Sequence, residues 1–171
     1  MATPISKNPA VVDALFRVKR GVSAYVSYLA ACEMNEAFSE YVLYEPILRI
    51  LMARGFHVQC EYECPGVEQP SKGDKKRLDF FAVGHDLELA VEVKWVKSTC
   101  PCSQSDLEKL QGFLKAKPDG AALLCVFGRE SVLRKLKVDF TLFKERGSGV
   151  YADLRKTRYG CRMFTLRGNE G

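Results

Sequence analysis

The chain has 171 residues, with 26 Lys and Arg against 21 Asp and Glu, a formal net charge of +5, and 47% hydrophobic residues. That length fits one domain burying about 70% of its unfolded surface, enough for a core without covalent staples. No apolar run approaches the ~20 residues of a membrane span, Met1 to Pro9 lacks the charged start and apolar centre of a secretory signal, and seven cysteines are an odd number. Neither a membrane protein nor an exported disulfide scaffold is expected, and a cytoplasmic protein with reduced thiols is.

In chain order, Val11, Leu15, Val18, Val22, Val26 and Leu29 recur at helical spacing. They predict an amphipathic helix that needs a partner surface, either as an added element or as a homodimer face. A second helical stretch follows Asn35, a plausible N-cap, and carries Phe38, Val42, Leu43, Ile47, Leu48, Leu51 and Met52 up to Gly55. Pro46 is expected to kink or split it. His57 to Glu63 reads as a first strand, and Pro65 to Arg77 as a polar loop.

Asp79 to Val83 and Leu87 to Trp95 read as two strands joined at Gly84-His85-Asp86. The midpoint between positions 79 and 92 falls inside that turn, so folding there sets Asp79 opposite Glu92. Strand alternation puts Glu88, Ala90, Glu92 and Lys94 on one face, and Leu87, Leu89, Val91, Val93 and Trp95 on the inward one. Opposed residues have Cβ atoms roughly 4.5–5.5 Å apart, a separation one divalent cation bridges. Two adjacent carboxylates raise each other's pKa, and a cation is the simplest neutraliser. Oxygen ligands favour Mg²⁺ or Mn²⁺, ions that clamp phosphate oxygens and acidify water, so the indicated chemistry is phosphodiester hydrolysis. The plain alternative is a solvated charged face, because a Glu-x-Lys triplet arises by composition about once in a chain of this length.

Cys60 and Cys64 flank the end of the first strand, and Cys100 and Cys102 follow the third. In a meander those ends approach, which brings a four-thiolate metal site within reach. The spacings differ from those of zinc knuckles, so small buried hydrophobes are the competing reading. Ser103 or Ser105 caps a helix from Asp106 to Lys117 with Leu107, Leu110, Phe113 and Leu114 as its stripe, and Gln104 and Gln111 are candidates to reach substrate from it. Ala121 to Phe127 is a continuous apolar run typical of a central strand. From Arg129 onward basic residues dominate. Arg155, Lys156 and Arg158, with Tyr151 and Tyr159 among the arginines, suit a nucleic-acid backbone and its bases. The organisation is thus a single domain: a helical extension over 1–34, a core over 35–128, and a basic C-terminal part over 129–171.

A helix, a three-strand meander carrying Leu78-Asp79 and then Glu92-Val93-Lys94, a second helix from Asp106 through Leu110-Gln111 and a further buried strand resemble the PD-(D/E)xK nuclease superfamily over about Ser39 to Phe127. The resemblance implies a restriction-endonuclease-like α/β core, with a mixed central sheet flanked by helices. It implies Mg²⁺ held by Asp79, Glu92 and the Val93 carbonyl, Lys94 beside the attacking water, DNA as substrate and a 5′-phosphate product. It also implies a carboxylate from the first helix: Glu40 in Ser39-Glu40 fits better than Glu45, which precedes Pro46. Leu78 stands where the superfamily's name has proline. A non-catalytic nucleic-acid or protein-binding module on the same scaffold is the competing class.

Overall fold

The computed structural model describes residues 5, 8–34, 36, 38–153 and 156–167, and the predicted cap Asn35 and the predicted contact Arg155 lie outside them. Helix α1, Pro9–Ala31, starts where the Asn8 side chain accepts from the Val11 N–H and Pro9 fills a first-turn position that needs no N–H donor. All six residues of its predicted stripe are buried. They pack within the chain: Lys19 donates to the carbonyls of Arg146 and Ser148, and the Ser23 hydroxyl donates to that of Val150 at 2.7 Å. The partner surface expected for this helix is therefore the protein's own sheet.

A 3₁₀ turn, Tyr41–Leu43, leads into helix α2, Tyr44–Ala53. Pro46 is the third residue of α2, in the turn whose N–H groups have no acceptor inside the helix. The predicted stretch is divided just ahead of it, into the 3₁₀ turn and α2.

The strands are β1 (His57–Glu63), β2 (Arg77–Gly84), β3 (Leu87–Trp95), β4 (Ala121–Arg129), β5 (Phe143–Glu145), β6 (Val150–Ala152) and β7 (Tyr159–Leu166). They form one mixed sheet in the order β1-β2-β3-β4-β7-β5, with β6 also on β7. The meander β1-β2-β3 is antiparallel, β4 runs parallel to β3, and β7 runs antiparallel to β4. His85 and Asp86 both have φ near +55° and sit between the paired residues Gly84 and Leu87, a two-residue hairpin turn whose left-handed backbone matches the strand twist. The basic C-terminal part supplies β5 to β7 and so completes the sheet.

The β3-to-β4 crossover is helix α3, Gln104–Ala116, and a short helix α4, Glu130–Leu133, follows β4. Helices cover both faces. Phe80, Val91, Val93, Cys125 and Met163 pack with α1 and α2, while Ala90, Ala122, Leu124 and Phe164 pack with Leu110 and Phe113 of α3. This corrects the expectation of one apolar and one solvent-facing side for β3, because a parallel crossover lays its helix on the second face. No described helix is long and apolar enough to cross a membrane.

The seat of α3 is set at Gly112, where an added Cβ would lie 2.2 Å from Val67 Cγ2 and 3.1 Å from the Gly66 carbonyl oxygen. Alanine replaces glycine in an ordinary helix interior with a gain of up to about 1 kcal/mol. Here overpacking reverses the sign, and Gly112→Ala is expected to lose about 1–3 kcal/mol, read as a lower urea midpoint at unchanged m-value.

Candidate active site

The β2–β3 ladder runs from Gly84↔Leu87 to Phe80↔Val91, and one more step would pair Asp79 with Glu92. Backbone pairing stops there. Leu78 packs on the α3 side and Phe80 on the α1–α2 side although they are two residues apart, so the alternation breaks at Asp79. Its carboxylate takes over the missing acceptor role: Oδ2 accepts the Val93 N–H at 2.6 Å and Oδ1 accepts the Tyr44 hydroxyl at 2.7 Å. The same hydroxyl lies 2.7 Å from Glu61 Oε1, so one phenolic proton is shared between two carboxylates. Burial first, then the bonds to Asp79 and Glu61, push the Tyr44 pKa far up and keep it a donor. Glu61 itself has φ +52°, a left-handed conformation on the edge strand opposite the break.

Glu92 departs furthest from its sequence reading. It has 0% of its surface exposed, beneath α3, rather than on an open face. Lys109 of α3 donates to its Oε2 in a very short contact, and Oε1 has no hydrogen-bond partner. Burial, reinforced by the Asp79 charge and only partly relieved by Lys109, lifts the Glu92 pKa to about 8.

Lys94, 27% exposed, lies 3.3 Å from Asp106 Oδ1 and 3.7 Å from Glu40 Oε1. Burial works against its ammonium, but Asp106 and Glu40 outweigh it and raise the pKa. Lys109, also raised against burial by Glu92, lies 3.7 Å from the same Asp106 oxygen. Glu40, at the start of the 3₁₀ turn, also accepts from the Trp95 N–H at 3.3 Å. Glu45 is exposed and paired with Arg49, away from this group.

Glu40, Asp79, Glu92, Lys94 and the Val93 amide thus meet at the end of β3. Tyr44, Glu61, Asp106 and Lys109 join them without having been singled out as site residues from sequence. For Asp106 and Lys109 a signal existed: Ser103-x-x-Asp106 is a capping box, and positions 106, 109/110 and 113 share one helical face. For Tyr44 and Glu61 there was none.

Four carboxylates, Glu40, Asp79, Glu92 and Asp106, face two ammoniums, so one negative charge is in excess with Glu92 protonated and two once it ionises, before Glu61 is added. That excess, the unpartnered Glu92 Oε1 and the hard oxygen donor set fit one divalent cation on Asp79, Glu92 and the Val93 carbonyl. Among the described residues, no group of three or more His, Cys, Asp or Glu is gathered closely enough to hold a metal ion by itself.

Cys60, Cys64, Cys100 and Cys102 likewise form no such group. All seven cysteines are free; Cys64 is buried with its thiol on the Lys109 carbonyl, and burial lifts the Cys64 and Cys102 thiols to about 11, where they are poor ligands. The expected base-stacking role of Tyr159 also fails, because its ring is buried against Trp95 and Phe38. Tyr151 is partly covered by Arg134. Arg162 is spent on Glu145 at 2.7 Å, and Arg158 pairs with Glu130 at 3.2 Å while staying exposed, as does Lys156. Gln111 lines a separate cleft of about 820 Å³ with Lys115, Arg146 and Arg167, and Gln104, the first residue of α3, lines a smaller one with Cys100 and Cys102.

In comparisons with known proteins, no protein-family model and no curated protein matches this chain.

Proposed function

We propose that this chain is a Mg²⁺-dependent nuclease with a restriction-endonuclease-like core, acting on DNA. The observation that carries the reading is the fully buried Glu92 carboxylate beside Asp79, with one oxygen on an ammonium and the other unpartnered. Nothing in ordinary core packing favours ionisable groups so placed; perturbed carboxylates beside a specific charge partner mark functional sites. When bound, Mg²⁺ supplies charge neutralisation on phosphate oxygens and a more acidic water.

The protein's own groups do the rest. Asp79 and Glu92, on adjacent strands, would hold the ion together with the Val93 carbonyl. Lys94 offers its ammonium to charge building on the phosphate oxygens. Glu40 holds Lys94 from one side and fixes the strand end through the Trp95 N–H. The strand ends around this group also carry exposed Lys97, Arg129, Lys156 and Arg158, cations for the flanking phosphates of a polyanion.

The test is incubation with supercoiled, linear and single-stranded DNA in Mg²⁺ or EDTA, comparing the parent with Lys94→Ala. The parent is expected to cleave in Mg²⁺ alone, and the variant to be slower by about 10²–10³-fold. Equal activity in both sinks this site as the source of cleavage. One observation favours a second reading, a scaffold that binds nucleic acid or protein without turnover: Lys109 already neutralises Glu92. In that case Mg²⁺ leaves the melting temperature unchanged.

A further inference from the structure

Both lysines of the site lean on one side chain. Asp106 is 3% exposed and divides its oxygens between two tasks. Oδ2 accepts from the Ser103 N–H at 3.0 Å and from its hydroxyl at 2.5 Å, closing the capping box that starts α3. Oδ1 faces Lys94 at 3.3 Å and Lys109 at 3.7 Å. A side chain used only to cap a helix would turn its second oxygen to water. Here the cap fixes the rotamer, and the fixed rotamer aims the free oxygen between two ammoniums that come from different elements, β3 and α3.

We propose that Asp106 is a positioning residue, which sets Lys94 and Lys109 as a pair of ammoniums beside Asp79 and Glu92, available to the oxygens of a substrate phosphate. This rests on the hydrolytic reading given above. Without Asp106, Lys94 keeps only the longer contact with Glu40, and Lys109 keeps only Glu92 and the Arg77 carbonyl. The flexible lysine stems then sample many rotamers, and the ammonium is less often where charge develops. Asp79 and Glu92, the residues that would hold the ion, keep their carboxylates and make no hydrogen bond to Asp106. The effect therefore falls on kcat, with KM and Mg²⁺ affinity close to the parent's.

The test is steady-state DNA cleavage in Mg²⁺ by the full chain, with substrate in excess, for the parent, Asp106→Asn, Lys94→Ala and the double variant. Thermal melting first establishes that each is folded at the assay temperature. Asparagine keeps one acceptor for the cap; where it fails to fold, Asp106→Glu keeps the charge, displaces it by one methylene and takes its place. The expected result is a fall in kcat of about 10–100-fold for the Asp106 variant, the range seen when a positioning partner is lost. Its cost in the Lys94→Ala background is expected to be much smaller, because the two residues act as one unit. A kcat within about twofold of the parent, or costs that multiply fully in the double variant, overturns the positioning role. A parent without Mg²⁺-dependent cleavage overturns the hydrolytic reading and this inference with it, whereas an active parent beside an equally active Asp106 variant overturns this inference alone.

Discussion

In EDTA at pH 8, Glu92→Gln melts at a higher temperature than the parent, and Mg²⁺ reverses the order. The first half follows from the Glu92 pKa, lifted from 4.5 to about 8 by burial and by Asp79. An acid whose folded pKa lies above its unfolded one holds its proton more tightly in the folded state. The parent is therefore favoured below about pH 4.5 and loses stability as pH rises to about 8, where the loss levels off. Each pKa unit corresponds to about 1.4 kcal/mol, so the loss reaches several kcal/mol. Glutamine has no such loss and still offers a carbonyl to Lys109, so the gap opens between pH 5 and pH 8 and closes again toward pH 5. The second half follows from mass action: an ion that binds only the folded parent adds about 2.7 kcal/mol at a hundredfold excess over its Kd, and the variant has lost a ligand. Melting curves across pH 5 to 9, with EDTA and with Mg²⁺, check both halves. If Glu92→Gln melts lower than the parent in EDTA at pH 8, Glu92 is an ordinary buried salt bridge to Lys109. If Mg²⁺ leaves the parent unmoved, the metal reading loses its support.

The parts of this site that could be read from the chain are those fixed by local periodicity. The hairpin register follows from alternation and a two-residue turn, and it brings Asp79 alongside Glu92 because strand pairing counts residues one for one. Glu40 rather than Glu45 reaches Lys94, but not for the reason read from Pro46: Glu45 is helical in the first turn of α2 and points to solvent beside Arg49. What periodicity cannot give is which element lies on the second face of a strand. Lys109 and Asp106 reach Glu92 and Lys94 because α3 crosses back over β3, a tertiary fact that also turns an apparently open face into a buried one. Of the predicted stripe of α3, Leu110 and Phe113 are fully buried, but Leu107 and Leu114 are only partly so, and Asp106 and Gly112 are buried in their place. The capping box rotates the inward face by a fraction of a turn and carries a charge with it. Tyr44 and Glu61 meet at Asp79 because the ladder breaks there, and a break in a ladder leaves no mark in hydrophobic pattern.

Asp79 carries the largest expected effect on activity, and two substitutions separate its two roles. Asp79→Ala removes the acceptor of the Val93 N–H and of the Tyr44 hydroxyl together. The Tyr44 proton passes to Glu61, but the Val93 N–H is left without a partner in a partly buried place, so the alanine variant should be destabilised by about 1–3 kcal/mol as well as inactive. Asp79→Asn keeps the size and one acceptor oxygen. With its carbonyl on the Val93 N–H, the amide nitrogen faces Tyr44, whose single proton then goes wholly to Glu61. The asparagine variant should therefore stay within about 1 kcal/mol of the parent, close to the net worth of one hydrogen bond. Its cleavage rate should still collapse, because a neutral amide binds a hard cation poorly. Losing only a partner of a metal ligand costs about 10–100-fold, and losing the ligand's charge should exceed that. Urea denaturation and Mg²⁺-dependent cleavage, measured on the two variants side by side, read the two effects separately. An Asp79→Asn protein that cleaves at the parent's rate would leave Asp79 as a structural plug in a broken ladder, and the site would have to be sought elsewhere on the molecule.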